Sequence, residues 1–373
     1  MTAAEALLDA FINANIMFGV ALGLWFLVRG AMCRIGLKHA YATQLQLLNA
    51  GFLAIIGAPL VVAVFAALQG AGVASGVNVN LSDMVVSYYL NGSFEMKASD
   101  FEGLIMMRDT FILNVMGANG LFAKALITLF VSGVCLGLLR LSFSVYCLWR
   151  LVATSYDLRC IGRIRIRLSD RTLVPFSTRG LRNYYVVIPS HMLGQHHEIK
   201  VSIAHEFQHI RQGDLEWEVA LEALKPLFIL NPAYHAWKRQ VEHLRELSCD
   251  SQVISLGRIN VRDYCDTLLA VCQQTLRRDR AFYVAVPKVT LVTADRTSMK
   301  PGKSLLERRI LSVLSNRRVR NQRLVFALAA IPLIATLAFT SVAIQRPGDW
   351  SQDRLMLSTV VNLDRLDEIN RLS

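Results

Sequence analysis

Four long apolar runs constrain this chain more than any other feature. A helix of about 20 apolar residues spans a bilayer core, because helical backbone satisfies its own hydrogen bonds where water is absent. The runs fall at roughly 7–28, 46–69, 119–149 and 324–344. The third exceeds one crossing and carries Lys124 and Arg140. Snorkelling near the span ends is the ordinary account of such cations. The far end of that run reads as a helix continuing into the cytoplasm. No basic residue precedes the first run, while Arg29, Arg34 and Lys38 follow it, so it does not read as a cleavable signal. The expectation is a mainly α membrane protein with four transmembrane helices, in which Gly51, Gly57 and Gly70 allow spans to pack closely.

Charge orients the runs. Net charge is +12, from 40 basic and 28 acidic residues. Residues 29–42 carry Arg29, Arg34 and Lys38, whereas 71–117 carry Asp83, Glu95, Asp100, Glu102 and Asp109 against Lys97 and Arg108. Most of the remaining basic excess lies in 150–323. The positive-inside rule then gives an inner-membrane, multi-pass chain with both termini extracytoplasmic. The expected order is a first helix with its cytoplasmic connection (1–45), a second helix (46–70), an extracytoplasmic loop (71–117) and a third helix (118–155). A cytoplasmic domain (156–322), a fourth helix (323–345) and a short extracytoplasmic tail (346–373) follow. The basic excess is thus a topology signal with some attraction to anionic lipid. No recognition motif points to nucleic acid. The seven cysteines include no CxxC pair and suggest neither a disulfide framework nor a cysteine zinc site.

The cytoplasmic block mixes two periods. Residues 161–168, IGRIRIRL, alternate apolar and basic as a half-exposed strand does. Residues 173–181 read as a short strand and turn, and 183–190, NYYVVIPS, as a strand. From about 196 the period is helical. Ile199, Ile203, Phe207 and Ile210 form one stripe, and Gly213 sits where a C-terminal cap belongs. Residues 215–230 are apolar around Pro226, suited to dip into the membrane interface or to fill space between spans. Helices are expected at 231–257, with proline at the first helical position, at about 260–279 and at about 305–315. The β-prone stretch 281–303 is a candidate self-cleavage or gating segment.

Within this block lies VSIAHEFQHIRQGD, residues 201–214. On a helix His205 and His209 share one face, so two imidazoles can grip one cation. Glu206 beside them is placed to take a proton from a water polarised by zinc. A catalytic zinc needs a third protein ligand and one open position. The 231–257 helix offers Glu242, Glu246 and Asp250 at four-residue spacing. Glu246 and Asp250 are the natural pair, one as ligand and one supporting a histidine, while Glu242 competes one turn earlier. Asp214 ties down the helix end and has a supporting role. Cys249 as a fourth ligand would close the site to water, so it reads as a packed small side chain. Tyr184, Tyr185, Val186, Val187 and Ile188 are the expected edge strand to which a peptide substrate adds.

AHEFQHIRQGD, LNPAYHAW and RELSCD together resemble the membrane-integrated zinc metallopeptidases typified by the BlaR and MecR antibiotic-sensor transducers. The resemblance implies an α+β zincin domain of gluzincin type, with His205, His209 and Glu246 as zinc ligands and Glu206 as general base. It implies four spans with the peptidase between the third and fourth. The implied role is signalling by cleavage of a cytoplasmic repressor or of the chain itself. Expected partners are a protein substrate, the lipid membrane and, as an option, a second copy in a homodimer. The tail 346–373 holds no Ser-x-x-Lys motif, so the family's penicillin-binding sensor is not expected there. Two other readings stay open: a non-catalytic signalling scaffold braced by structural zinc, and a membrane quality-control metallopeptidase.

Overall fold

Long runs rich in Leu, Val, Ala and Phe make helix the economical backbone for four stretches of the chain. The computed structural model describes residues 3–73, 80–91, 97–117, 120–277, 305–315, 321–345, 356–363 and 366. Among the described residues four helices are long and apolar enough to cross a membrane: α1 (Ala3–Arg34), α2 (Tyr41–Gly70), α5 (Gly120–Ala153) and α11 (Gln322–Ala343). The segment between α2 and α5 contains two further helices, α3 (Leu81–Leu90) and α4 (Ala98–Met116). The chain forms two compact units. One holds Met1–Trp25, Ala50–Ser132 and Leu328–Ser373; the other holds Phe26–Asn49 and Gly133–Ala327. In the first unit Val86 and Phe101 pack with Leu357 and Val361.

The second unit carries a small mixed sheet and five helices. Its strands are β1 (Tyr156–Ile161), β2 (Ile164–Ser169), β3 (Phe176–Arg179) and β4 (Tyr184–Pro189), in the order β1-β2-β4-β3. β2 and β4 run parallel, and the outer pairs are antiparallel. The stretch expected as one strand over 161–168 is the second half of a hairpin. Gly162 takes a positive φ of 58° at its turn, which a side-chain-free residue adopts without strain.

β4 is interior, which corrects the expectation for Tyr184, Tyr185, Val186, Val187 and Ile188. Ile164–Ser169 pair along one side of it and Phe176–Arg179 along the other, so its backbone has no free edge for a substrate. The cause is the short 173–181 segment, which folds back as a strand of its own. The edges of the sheet are β1 and β3.

A short 3₁₀ turn (Ser190–Met192) leads into α6 (His196–Gln212), then α7 (Asp214–Leu224), α8 (Pro232–Ser255), α9 (Val261–Arg277) and α10 (Leu305–Ser315). One core joins them. Ile166, Val186 and Ile188 of the sheet pack with Val201 of α6, Val253 of α8, Leu268 and Val271 of α9 and Val313 of α10. Ile199, Ile203, Phe207 and Ile210 lie against it as the helical period predicts. Gly57 and Gly70 differ from the expectation of close packing, and a tight approach is seen at Gly137. Nothing lies within 4 Å of a Cβ built on Gly57 or Gly70, whereas one on Gly137 of α5 would sit 3.0 Å from Pro226 Cβ. The stretch 281–303 lies outside the described residues.

Candidate metal centre

Helix ends position the first half of the cluster. α6 stops at Gly213, whose φ of 73° turns the chain sharply and starts α7 one residue later. Asp214, at that start, thereby faces the helix just left. Its Oδ2 accepts from His209 Nδ1 at 2.8 Å. α8 supplies the other half. Its first turn is capped by Asn231 Oδ1, which accepts from the N–H groups of Ala233 and Tyr234. Further along, Glu246 and Asp250 fall one turn apart on the side that meets α6.

The ligating atoms converge. His205 Nε2 and His209 Nε2 lie 3.1 Å apart. Glu246 Oε2 is 3.6 Å from the first, and its Oε1 is 3.7 Å from the second. The outer ring nitrogens are committed elsewhere. Tyr264 donates its hydroxyl proton to Asp250 Oδ1 at 2.6 Å, so its oxygen accepts from His205 Nδ1–H at 2.8 Å. His209 Nδ1–H is held by Asp214 in the same way. These bonds fix both imidazoles with Nε2 turned inward. Two unshared pairs facing each other at 3.1 Å are favourable only with a proton or cation between them.

The electrostatics agree. Burial works against a charged His205, yet Cys249 and Glu246 outweigh it and push the imidazole up to about 10. His209 is likewise raised, burial again being overcome by Cys249, Asp214 and Glu246. Burial opposes ionisation of Glu246, but Arg309 and the two imidazoles pull its carboxyl well below the usual carboxylate range. A pocket that favours positive charge on both imidazoles has the potential a divalent cation would use.

Two participants escaped the sequence reading. Arg309, fully buried on α10, ion-pairs Glu246 Oε2 through Nη1 at 3.0 Å. It also grips Asp250 with a two-pronged fork, Nε to Oδ2 and Nη2 to Oδ1, both at 2.7 Å. Tyr264 on α9 bridges His205 and Asp250 as described. One signal was present. Arg309 shares the inward stripe of α10 with Leu306, Ile310 and Val313, and a cation on an apolar stripe calls for a buried acid.

The expected residues otherwise gather as follows. Glu206 is buried, and its Oε2 has no hydrogen-bond partner among the described residues. Glu242 is held by Lys238 at 3.1 Å instead. His197 faces Asp263 at 3.7 Å on the surface. Cys249 is closer to the imidazoles than a merely packed residue would be. One ligating atom each from His205, His209 and Cys249 lies within 4.8 Å of the others. Cys249 Sγ lies 3.5 Å from His205 Nδ1, its thiol donates to the His205 carbonyl at 3.4 Å, and it also reaches the His209 imidazole. Tyr264 occupies the outer Nδ1 of His205, whereas Glu246 faces the Nε2 pair.

This cluster sits in a recognised segment. Residues 144–294 match the family model of the BlaR1 peptidase M56 family. The match is consistent with a peptidase of the BlaR/MecR type. It runs from within α5 through the sheet and α6 to α9, so it includes both histidines, Glu206, Glu246 and Asp250 but stops short of Arg309. No curated protein matches the chain.

Proposed function

We propose that the chain is a membrane-integrated, zinc-dependent endopeptidase that cleaves a cytoplasmic regulator or itself in transmembrane signalling. The observation that carries this reading is the convergence of two inward Nε2 atoms and the Glu246 carboxylate beside Glu206, whose Oε2 is unpartnered. Zinc fits the donor set. Bond lengths of about 2.0–2.2 Å to nitrogen and oxygen put tetrahedral ligand atoms about 3.3–3.5 Å apart, close to the spacings of 3.1, 3.6 and 3.7 Å here. The mixed sheet with the histidine helix packed on it supports a gluzincin-like domain between α5 and α11. The basic content of that block supports a cytoplasmic location for it.

When bound, zinc supplies Lewis-acid activation of water and of the scissile carbonyl. The protein does the rest. His205, His209 and Glu246 hold the ion. Tyr264 with Asp250, and Asp214, keep each imidazole in the tautomer that can bind. Arg309 keeps Glu246 ionised and pointed. Glu206 accepts a proton from the attacking water at Oε2 and returns it to the departing amide nitrogen. With β4 interior, the strand-addition role passes to β3, the outer strand that packs on α6 and α7.

Glu206→Gln tests the reading. Peptide cleavage should fall by about 10²–10⁴-fold, the range for loss of a general base, with zinc still near one per chain. A purified Glu206→Gln protein that cuts as well as wild type would refute it. The grouping of Cys249 with both imidazoles favours a second reading, a closed structural site in a non-catalytic scaffold. Cobalt substitution separates the two, since thiolate ligation gives an intense near-ultraviolet band that histidine and carboxylate ligands do not. In the peptidase reading the band is absent and Cys249→Ala retains cobalt.

A further inference from the structure

The connection between α7 and α8 packs against the middle of a candidate membrane span. A Cβ built on Gly137 of α5 would lie 3.0 and 3.1 Å from Pro226 Cβ and Cα, and one on Gly133 would lie 3.4 Å from Ile229 Cγ2. A crossing takes about 20 helical residues. A window opening at Lys124 closes near Phe143, and one ending at Arg140 opens near Leu121. Both contain Gly133 and Gly137. An element packed on these two glycines shares their depth.

The chemistry of the connection suits that depth. Its outward residues are apolar: Val219, Ala223, Leu227 and Leu230 are all exposed. Its charges are paired within the protein rather than left to solvent. Glu222 is bonded to Lys225 at 3.3 Å and to Lys238, and Glu218 meets Arg245 at 2.9 Å. A water-facing hairpin shows the reverse arrangement, with charge outside and apolar residues inside. Several backbone polar groups at the tip are satisfied locally, as lipid demands. The N–H groups of Lys225, Leu227, Phe228 and Asn231 bond to the carbonyls of Glu222, Leu224, Leu224 and Phe228. The Ile229 carbonyl accepts from His235 Nε2 at 2.9 Å, and the Leu221 carbonyl accepts from the Tyr234 hydroxyl.

The geometry points to a re-entrant hairpin: residues 225–230 insert into the lipid of the leaflet on the peptidase side, beside α5, with Leu227 and Leu230 against acyl chains. This deepens the proposed function and rests on reading α5 as a span. It also sets where the metal centre works. α7 has 11 residues and so rises about 16 Å, which sets the distance from Asp214, and the His209 it holds, to the start of the inserted tip. The bond to be cut is therefore presented close to the lipid boundary. That favours, of the two substrates in the proposed function, a segment of the chain itself that flanks a membrane span.

Spin labels on the full chain in lipid vesicles decide this. Single accessible cysteines replace Leu227, Leu230, Leu136, Leu139 or Leu193, with Cys33, Cys135, Cys147, Cys160 and Cys272 changed to alanine and the buried Cys249 and Cys265 kept. Collision with oxygen, which concentrates in lipid, is compared with collision with a water-soluble nickel chelate. The expected oxygen-to-nickel ratio at 227 and 230 equals that at 136 and 139, two exposed positions of α5, and is well above that at 193, an exposed position just before α6. Lipid-like values on α5 with a water-like ratio at 227 and 230 would overturn the hairpin alone. Water-like values on α5 as well would overturn the span reading and the hairpin with it. A label at 227 shielded from both reagents would mean that protein, not lipid, covers the tip, and would also overturn the proposal. None of these outcomes depends on zinc or on proteolysis, so failure here is distinguishable from failure of the peptidase reading.

Discussion

α8 carries two buried ionic clusters a few turns apart, and they are built on opposite principles. Towards its start, Glu218, Glu222 and Glu242 meet Lys225, Lys238 and Arg245. Each acid has a base, and the charges cancel. Further along, Glu206, Asp214, Glu246 and Asp250 gather around two imidazoles with Arg309 as the paired cation. There the acids outnumber the cations, one carboxylate oxygen is unpartnered, and two ring nitrogens face each other. The first cluster is complete as it stands and holds α7 to α8. In the second, carboxylates exceed the fixed cations, a shortage of positive charge that a bound divalent ion would reduce. Burying polar groups is costly in both, but only the second leaves its deficit at a point where ligand atoms converge. Zinc should therefore matter to one cluster and be invisible to the other.

The largest effect that separates them is Arg309→Met. It leaves Glu246 and Asp250 buried without their cation, and breaking a buried pair in this way costs about 3–5 kcal/mol. Saturating zinc should return part of that loss, because an ion bound at Glu246 replaces the missing positive charge. Unfolding in detergent, followed with chelator and with zinc, gives the two values. Equal destabilisation under both conditions would mean that Arg309 braces the fold independently of the metal cluster.

Lys238→Met makes the matching cut in the closed network. Glu222 and Glu242 lose their shared partner, but both are partly exposed and Glu222 keeps Lys225. The expected cost is about 1–3 kcal/mol, smaller than for Arg309 because solvent reaches these carboxylates. Zinc stoichiometry and the size of zinc stabilisation should stay at wild-type values. A fall in zinc content would show that the two clusters are energetically one.

How much of this was legible beforehand follows from the same contrast. The four apolar helices, the stripe on α6, the cap at Gly213 and the proline start of α8 are local, and period and composition carry them directly. The pairing of His205 and His209 is local too, because a helix repeats every 3.6 residues. Glu246 and Asp250 needed a guess that two helices meet, which the acidic spacing of α8 suggested. Arg309 and Tyr264 belong to α10 and α9, brought in by tertiary packing that no window of sequence contains. The strand reading failed for a related reason. Tyr184–Ile188 has the β-branched, aromatic look of any strand, but whether a strand is at an edge depends on its neighbours. Here Phe176–Arg179 supplies the neighbour.

The smallest cut is Tyr264→Phe, and it probes how finely the open cluster is tuned. The lost hydroxyl donates to Asp250 and accepts from His205 Nδ1. Asp250 Oδ1 already lies 3.4 Å from that same nitrogen, so a small shift gives the imidazole a direct carboxylate partner. Its tautomer is then preserved, and Asp250 keeps both prongs of Arg309. The expected loss is thus about 1 kcal/mol, one ordinary hydrogen bond, with zinc affinity down by less than the roughly 10–100-fold typical of removing a residue that orients a metal-bound histidine. Chelator competition on the purified variant measures this. A loss at or beyond the top of that range would mean that Asp250 does not take over. The hydroxyl itself, absent from any motif, would then be what holds His205 in its binding form.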